Sequence, residues 1–400
     1  MLEVYILQDR KENRKRIWLA GITIACGIAC SGCSYETKPV ELGASVVKLK
    51  HAKPGANKLK HAKPKPKKKK VNLTSYTKSV MDKNHLTGSI GIVKNGKLTI
   101  VSRGMADVNS RTPNSSKRVV YPIGSMQKEI TGAMVIRVMK KKGFSQNTKI
   151  SKWYPNLKHA KHVTVGNLLT HTSGYAVPSI EQARYQTYTD RGAVNWTINQ
   201  VNATNQLPVG TYRYSDVNFI LLAGIIEKAT GKSYSRNFKE LVAKPLHLTH
   251  TYVRRDLPKK LHLAVSYQYA YQNPASYAVP VSTQIPGAGN LVSTPADFFK
   301  IQKGLENGKF LTKSEFHQLT HLKTKKTLYS GGIYLKKHET VHSAYGALDG
   351  VHYAAYMQLT SDNKNGIIML VNQRQQNRIK FKRIGYKILK QIKPHTFSKY

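Results

Sequence analysis

The chain has 400 residues, with 65 Lys and Arg against 20 Asp and Glu, a formal net charge of +45 and a hydrophobic content of 40%. That apolar fraction excludes disorder throughout and allows a sizeable core. All three cysteines, Cys26, Cys30 and Cys33, fall near the start, which excludes a disulfide framework or a cysteine metal site from the rest, while the charge demands an anionic environment.

In chain order, Arg10, Lys11, Arg14, Lys15 and Arg16 precede an apolar stretch from Ile17 to Ala29, a length that suits a signal-peptide core better than a spanning helix. It ends in Cys30-Ser31-Gly32-Cys33, which resembles the lipidation site of bacterial lipoproteins, although Cys30 stands where those proteins usually have Leu. Residues 1–33 are therefore expected to be a signal peptide, a lipoprotein signal with Cys33 as the lipidated residue, or an uncleaved anchor. In each case the protein is exported and sits at the outer face of a bacterial cytoplasmic membrane.

Residues 34–70 read as a disordered spacer. Lys48-Leu49-Lys50-His51-Ala52-Lys53-Pro54 recurs as Lys58-Leu59-Lys60-His61-Ala62-Lys63-Pro64, and the stretch from Lys48 to Lys70 holds eleven lysines and no acid. Most of the excess charge lies elsewhere, so the basic character is global. Behind an export signal the available polyanions are membrane lipids and phosphate-bearing wall polymers. The expected partners are thus an anionic membrane or wall surface and a cell-wall polymer, with no nucleic acid. Oligomeric state is left open.

Residues 71–400 are expected to be one globular domain. Ile90, Ile92, Leu98 and Ile100 flank Asn95-Gly96, a strong hairpin signal. Apolar runs return at Val351 to Leu359 and Ile367 to Val371, followed by a basic amphipathic helix from about Arg374 to Ile392. Between them lie helices from Met126 to Lys142, from after Asn218 to Thr230, and from Thr294-Pro295-Ala296-Asp297 onward, the rest being mostly helices and loops. Strands at both chain ends with helices between predict an α/β fold whose single antiparallel sheet is built from both termini around a helical insertion.

Ser-x-x-Lys occurs four times, at Ser45-Lys48, Ser75-Lys78, Ser125-Lys128 and Ser361-Lys364. Only Ser125 opens a long apolar helix, which puts Lys128 on the serine's own face. Burial there would favour the neutral amine as a base for the hydroxyl, and the helix N-terminus would favour negative charge developing at Ser125. Tyr214-Ser215-Asp216, just before the apolar run from Val217 to Ile226, offers a tyrosine whose pKa a nearby lysine would lower; alternatively Asp216 merely caps the helix. The pairs His159/His162 and His247/His250 lack a companion carboxylate motif, so no metal or other cofactor is expected.

Taken together, Gly124-Ser125-Met126-Gln127-Lys128, Tyr214-Ser215-Asp216, Leu168 to Gly174 and Gly287 to Asp297 resemble the serine β-lactamase and penicillin-binding-protein superfamily, in its class C and D-alanyl-D-alanine carboxypeptidase-like branch. The resemblance implies that Ser125 is acylated, Lys128 is its base, Tyr214 passes a proton to the leaving group before activating water, and Asp216 orients Lys128 or binds substrate. Asp216 stands where the family has Asn, which keeps Lys128 protonated more readily. The third motif falls at Ala344-Tyr345-Gly346 without its usual basic residue, leaving Tyr345 and Gly346 to supply a backbone oxyanion donor beside the amide of Ser125. These departures and the basic chain are most similar to the branch acting on D-alanyl esters of teichoic acid. A DD-carboxypeptidase or weak β-lactamase, and a non-catalytic wall-binding protein, are the alternatives.

Overall fold

The computed structural model describes residues 71–177, 186–322, 328–348, 351–373 and 377–399. The signal segment, Cys33, the lysine repeat and Asp349-Gly350 lie outside them. Asn95 and Gly96 both take positive φ, 51° and 76°, so the strands Thr87–Lys94 and Lys97–Arg103 close through a two-residue turn with Lys94 opposite Lys97. The first of these strands pairs antiparallel with Gly366–Gln373, near the other end of the chain.

This pairing joins both chain ends in one seven-stranded antiparallel sheet. Its order is Lys97–Arg103, Thr87–Lys94, Gly366–Gln373, Ala354–Thr360, Val341–Ala347, Ile333–Lys336 and Tyr329–Ser330. Period-two alternation sorts the side chains of its strands to two faces. Ile367, Met369 and Val371 pack with Phe381, Ile384 and Ile388 of the terminal helix Arg378–Ile392, whereas Ile368 and Leu370 join the core on the opposite face. That second core holds the helices Gln127–Lys142 and Asp216–Thr230.

The helix Gln127–Lys142 is buried from Gln127 to Met139 apart from Arg137, and Gly143 closes it in the left-handed region at φ 66°. At the next helix the sequence reading is corrected in detail. Asp216 is its first residue, and the cap is Ser215, whose side chain accepts from the amide of Val217. The terminal helix starts at Arg378, where Asn377 accepts from the amides of Ile379 and Lys380.

The middle of the chain also contains a sheet that the sequence reading missed: Tyr252–Val253, Leu291–Ser293, Val119–Pro122 and His262–Leu263, in that order. Strands of two to four residues are too short to show a period. This small sheet positions the serine, because Val119–Pro122 runs directly into the turn Gly124–Met126, and Ile123 N donates to Leu291 O at 3.1 Å.

Candidate active site

Ser125 lies in the 3-10 turn Gly124–Met126, whose last amide returns to Ile123 O, and Lys128 follows in the first turn of the buried helix. That i, i+3 spacing brings Lys128 Nζ to 2.8 Å from Ser125 Oγ. The ammonium also donates to Ala288 O at 2.9 Å and lies 2.5 Å from Asp216 Oδ1. Lys128 is fully buried, whereas the Asp216 side chain remains 33% exposed. Tyr214 is 40% exposed; its ring centroid lies 5.1 Å from Lys128 Nζ, and its phenol interacts with Ser125 and Lys128.

Burial disfavours charge on Lys128, but Asp216 and Tyr214 outweigh it and hold the amine above its ordinary value. The sequence expectation that burial would free a neutral amine is therefore corrected. Tyr214 is likewise pushed up by burial; Lys128 opposes the shift, and Asp216 adds to it. Lysine does act on the phenol in the expected direction, yet desolvation wins. The resting site is an ammonium, a carboxylate, a neutral phenol and the serine hydroxyl.

The segment 287–291 clamps this arrangement from the other side. Thr131 Oγ1 donates to Gly287 O at 2.7 Å, Gln127 Nε2 to Asn290 Oδ1 at 2.7 Å, and Leu291 N to Gln127 Oε1 at 2.8 Å. Gln127 is fully buried. Gln127, one residue before Lys128, and Thr131, three after it, thus fix the rail that carries Ala288 O.

His171, within the segment from Leu168 to Gly174, organises the Tyr214 loop. It is fully buried, and its pKa falls well below the ordinary value through burial and then the Lys128 charge. The neutral ring accepts at Nδ1 from Ser215 N (3.3 Å) and Asn218 Nδ2 (3.1 Å), so the proton resides on Nε2 and is donated to Tyr329 Oη at 3.1 Å. Its centroid lies 4.4 Å from that of Tyr214. Ser173 Oγ donates to Asn218 Oδ1 at 2.6 Å, which anchors the other end of the amide.

The strand Val341–Ala347 passes beside the serine. A Cβ at Gly346 would lie 2.0 Å from Ile123 O and 3.0 Å from Ser125 N, so the backbones touch only because the residue is glycine. A Cβ at Gly124 would likewise meet Ala347 N at 3.0 Å. This places the backbone of Gly346 and Ala347 next to the Ser125 amide. The Tyr345 side chain points the other way, with its ring 6.3 Å from that of Phe381 and beneath Arg378 and Lys382 of the terminal helix. No cationic side chain stands at Ala344, Tyr345 or Gly346, and the nearest basic residue of the strand, His342, is buried with its pKa pushed down to about 4. Cys33 lies outside the described residues. Among those residues no group of three or more His, Cys, Asp or Glu could hold a metal ion, and no helix is long and apolar enough to cross a membrane.

A serine whose hydroxyl meets a lysine three residues on and a tyrosine from a second helix start, all between a sheet and a helical layer, defines a class of hydrolase. The beta-lactamase family matches residues 73–390, and the chain belongs to that family as a serine hydrolase of the β-lactamase/DD-peptidase fold. Among individual relatives, the teichoic acid D-alanine hydrolase of Staphylococcus aureus (strain NCTC 8325 / PS 47) is 28% identical over 340 residues, covering 83% of this chain and 80% of that protein. The crystal structure of FmtA from Staphylococcus aureus superposes with a TM-score of 0.68 at 26% identity, over 82% of this chain and 91% of that one. D-amino acid amidase from Ochrobactrum anthropi SV3 shares the fold at 18% identity and a TM-score of 0.67, over 80% and 97% of the two chains.

Proposed function

We propose that this protein is an exported, surface-anchored hydrolase that removes D-alanyl groups ester-linked to teichoic acid, through an acyl-enzyme on Ser125. Residues 1–33 direct export or anchor the chain, with Cys33 as the lipidation site; residues 34–70 act as a spacer, and 71–400 carry the chemistry. The observation that supports the substrate is the partly exposed Asp216 carboxylate beside the nucleophile. Its Oδ1 is buried against Lys128, so its exposure belongs to the outer side. A carboxylate has about four acceptor positions, so pairing with Lys128 leaves room for a second donor.

A D-alanyl ester brings an α-ammonium, which suits that outer side. A peptide donor ending in D-alanine brings a free carboxylate, which would face Asp216 without a cation at positions 344–346. At contact distance near a protein surface such charges interact on the order of a few kcal/mol, so their sign is enough to select the donor.

Ser125 Oγ attacks the ester carbonyl. Its proton passes to Tyr214 Oη as the Oγ–C bond forms and the carbonyl becomes a tetrahedral oxyanion; as that oxyanion collapses, the phenolic proton moves to the departing polymer oxygen and the C–O bond to the polymer breaks. The charged Lys128 lowers the energy of transient negative charge on both oxygens, and the amides of Ser125 and the Gly346–Ala347 strand receive the oxyanion. Water then attacks the acyl-enzyme, giving its proton through Tyr214 back to Ser125 Oγ and releasing D-alanine.

The test incubates the full chain with D-alanylated teichoic acid, muropeptide and labelled penicillin, following D-alanine release and intact mass. Release from teichoic acid, lost in Ser125→Ala, is the expected result. Release from muropeptide alone would assign a carboxypeptidase instead, and unchanged activity in Ser125→Ala would remove the enzymatic reading.

A further inference from the structure

Behind the strand that lines the serine, Arg378 and Lys382 converge on one tyrosine ring, with Lys336 on the neighbouring strand and no counter-charge among the described residues. Arg378 Cζ lies 4.7 Å from the centroid of Tyr345, and Lys382 Nζ lies 5.4 Å from the same ring and 5.9 Å from that of Tyr356. Lys336, on the neighbouring strand Ile333–Lys336, is near enough for Arg378 to disfavour its charge, and it acts in the same way on Lys382. Lys336, Lys382 and Tyr345 are half-buried, and Arg378 is exposed. Among the described residues none of the three cations forms an ion pair with a carboxylate.

Aromatic faces compensate only part of this. A cation over a tyrosine ring gains little at an exposed site, and two cations sharing one ring also repel each other. Burial of the lysine stems removes water that would otherwise screen them. The cluster is therefore more favourable with an anion between the three heads than without one. A tetrahedral phosphate diester fits, since it presents several acceptor oxygens to a fork of guanidinium donors and two ammonium groups.

We propose that Lys336, Arg378 and Lys382 form a binding site for a backbone phosphate of the wall polymer, on the reverse of the strand whose Gly346 approaches Ser125. This rests on the proposed substrate class and adds to it a second contact, remote from the ester, which holds the polymer and not the acyl group. Other cationic surface exists. Arg111, Arg118, Lys259 and Lys260 line a cavity of about 370 Å³, but all four are exposed and hydrated, so they have less to gain from an anion.

The experiment uses the full chain and teichoic acid stripped of D-alanine by mild base, so binding is read without catalysis. Lys336→Gln with Lys382→Gln keeps part of the aliphatic packing and removes both charges. The pair Lys259→Gln with Lys260→Gln removes equal charge elsewhere and serves as the control. The expected result is roughly tenfold weaker polymer binding for the first pair and less than twofold for the control. KM for D-alanylated polymer rises in parallel, with kcat for a small soluble D-alanyl ester unchanged. Equal losses in the two pairs, or a larger loss in the control, would overturn the site. Loss of binding to phosphatidylglycerol vesicles with polymer binding intact would also overturn it, by assigning the cluster to the membrane. If wild-type protein binds stripped polymer through these residues yet releases no D-alanine, the proposed activity fails while this site stands.

Discussion

Lys128 and Lys382 both lie beside tyrosine rings on opposite sides of the strand Val341–Ala347, and burial disfavours charge on each. Lys128 is nevertheless held above its ordinary value, whereas Lys382 falls to about 8. The difference is in the neighbours: Asp216 lies 2.5 Å from Lys128, while Lys382 faces Arg378 and Lys336. Burial alone does not set the protonation state of a lysine in this protein; the sign of the nearest fixed charge does.

The two lysines also carry opposite pH linkage. Lys128 gains its partner on folding, so its stabilisation is complete below the unfolded value of about 10.4 and is lost as pH rises through the higher folded value. For Lys382 the folded protein has already released its proton between about 8 and the unfolded value near 10.4, so stability rises with pH across that window.

The largest expected effect is at Ser125, the proposed nucleophile beside Lys128. Ser125→Ala should reduce D-alanine release by roughly 10⁴-fold or more and abolish the acyl adduct in intact mass, with no loss of polymer binding. Tyr214→Phe should follow, at roughly 10²–10³-fold, with deacylation reduced more than acylation; single-turnover measurements separate the two steps, and equal losses would remove the relay from the mechanism.

Asp216→Asn tests the comparison most directly. With the anion gone only Tyr214 opposes burial, and Lys128 should fall from its raised value towards the lowered one of Lys382. Stability should fall by about 2 kcal/mol in chemical denaturation, less than for a fully enclosed pair because Asp216 is partly exposed. KM for the D-alanyl ester should rise, and penicillin acylation near neutral pH should quicken relative to ester turnover. A slower penicillin adduct would show that the charged lysine is required.

His171→Leu should cost about 1–3 kcal/mol, since it leaves the Ser215 amide and the Asn218 side chain without their acceptor. Its signature is a fall in kcat with little change in polymer binding. The smallest effect belongs to the back of the strand. Lys382→Gln should raise Tm by about 1–3 °C at pH 7, and the gain should shrink as pH rises above about 8 and vanish above about pH 11, where the wild-type lysine is neutral in both states.

Much of the framework was legible because it rests on local rules. Asn95-Gly96 set the first hairpin, Gly143 and Gly231 ended two helices in left-handed geometry, and Thr294 capped a third by accepting from the Asp297 amide. Ser125 and Lys128 were legible because three residues on a helix make neighbours whatever else the chain does. The small sheet was not, since its strands are too short to show a pattern. The orientation of Tyr345 was not either, because the face on which a strand residue lands depends on register with a neighbouring strand.

The sequence by itself determined the chain's polarity and the contacts made within a few residues: an apolar helix beginning at Ser125, a basic amphipathic end, a hairpin near the start. Tertiary structure decided protonation and geometry. Asp216 reaches Lys128 across 88 positions of sequence, Ala288 O reaches it across 160, and His171 selects its tautomer from Ser215, Asn218 and Tyr329. Those outcomes depend on distances between segments far apart in the chain. Electrostatic energy follows such distances and the water excluded around them, and neither is written in residue order.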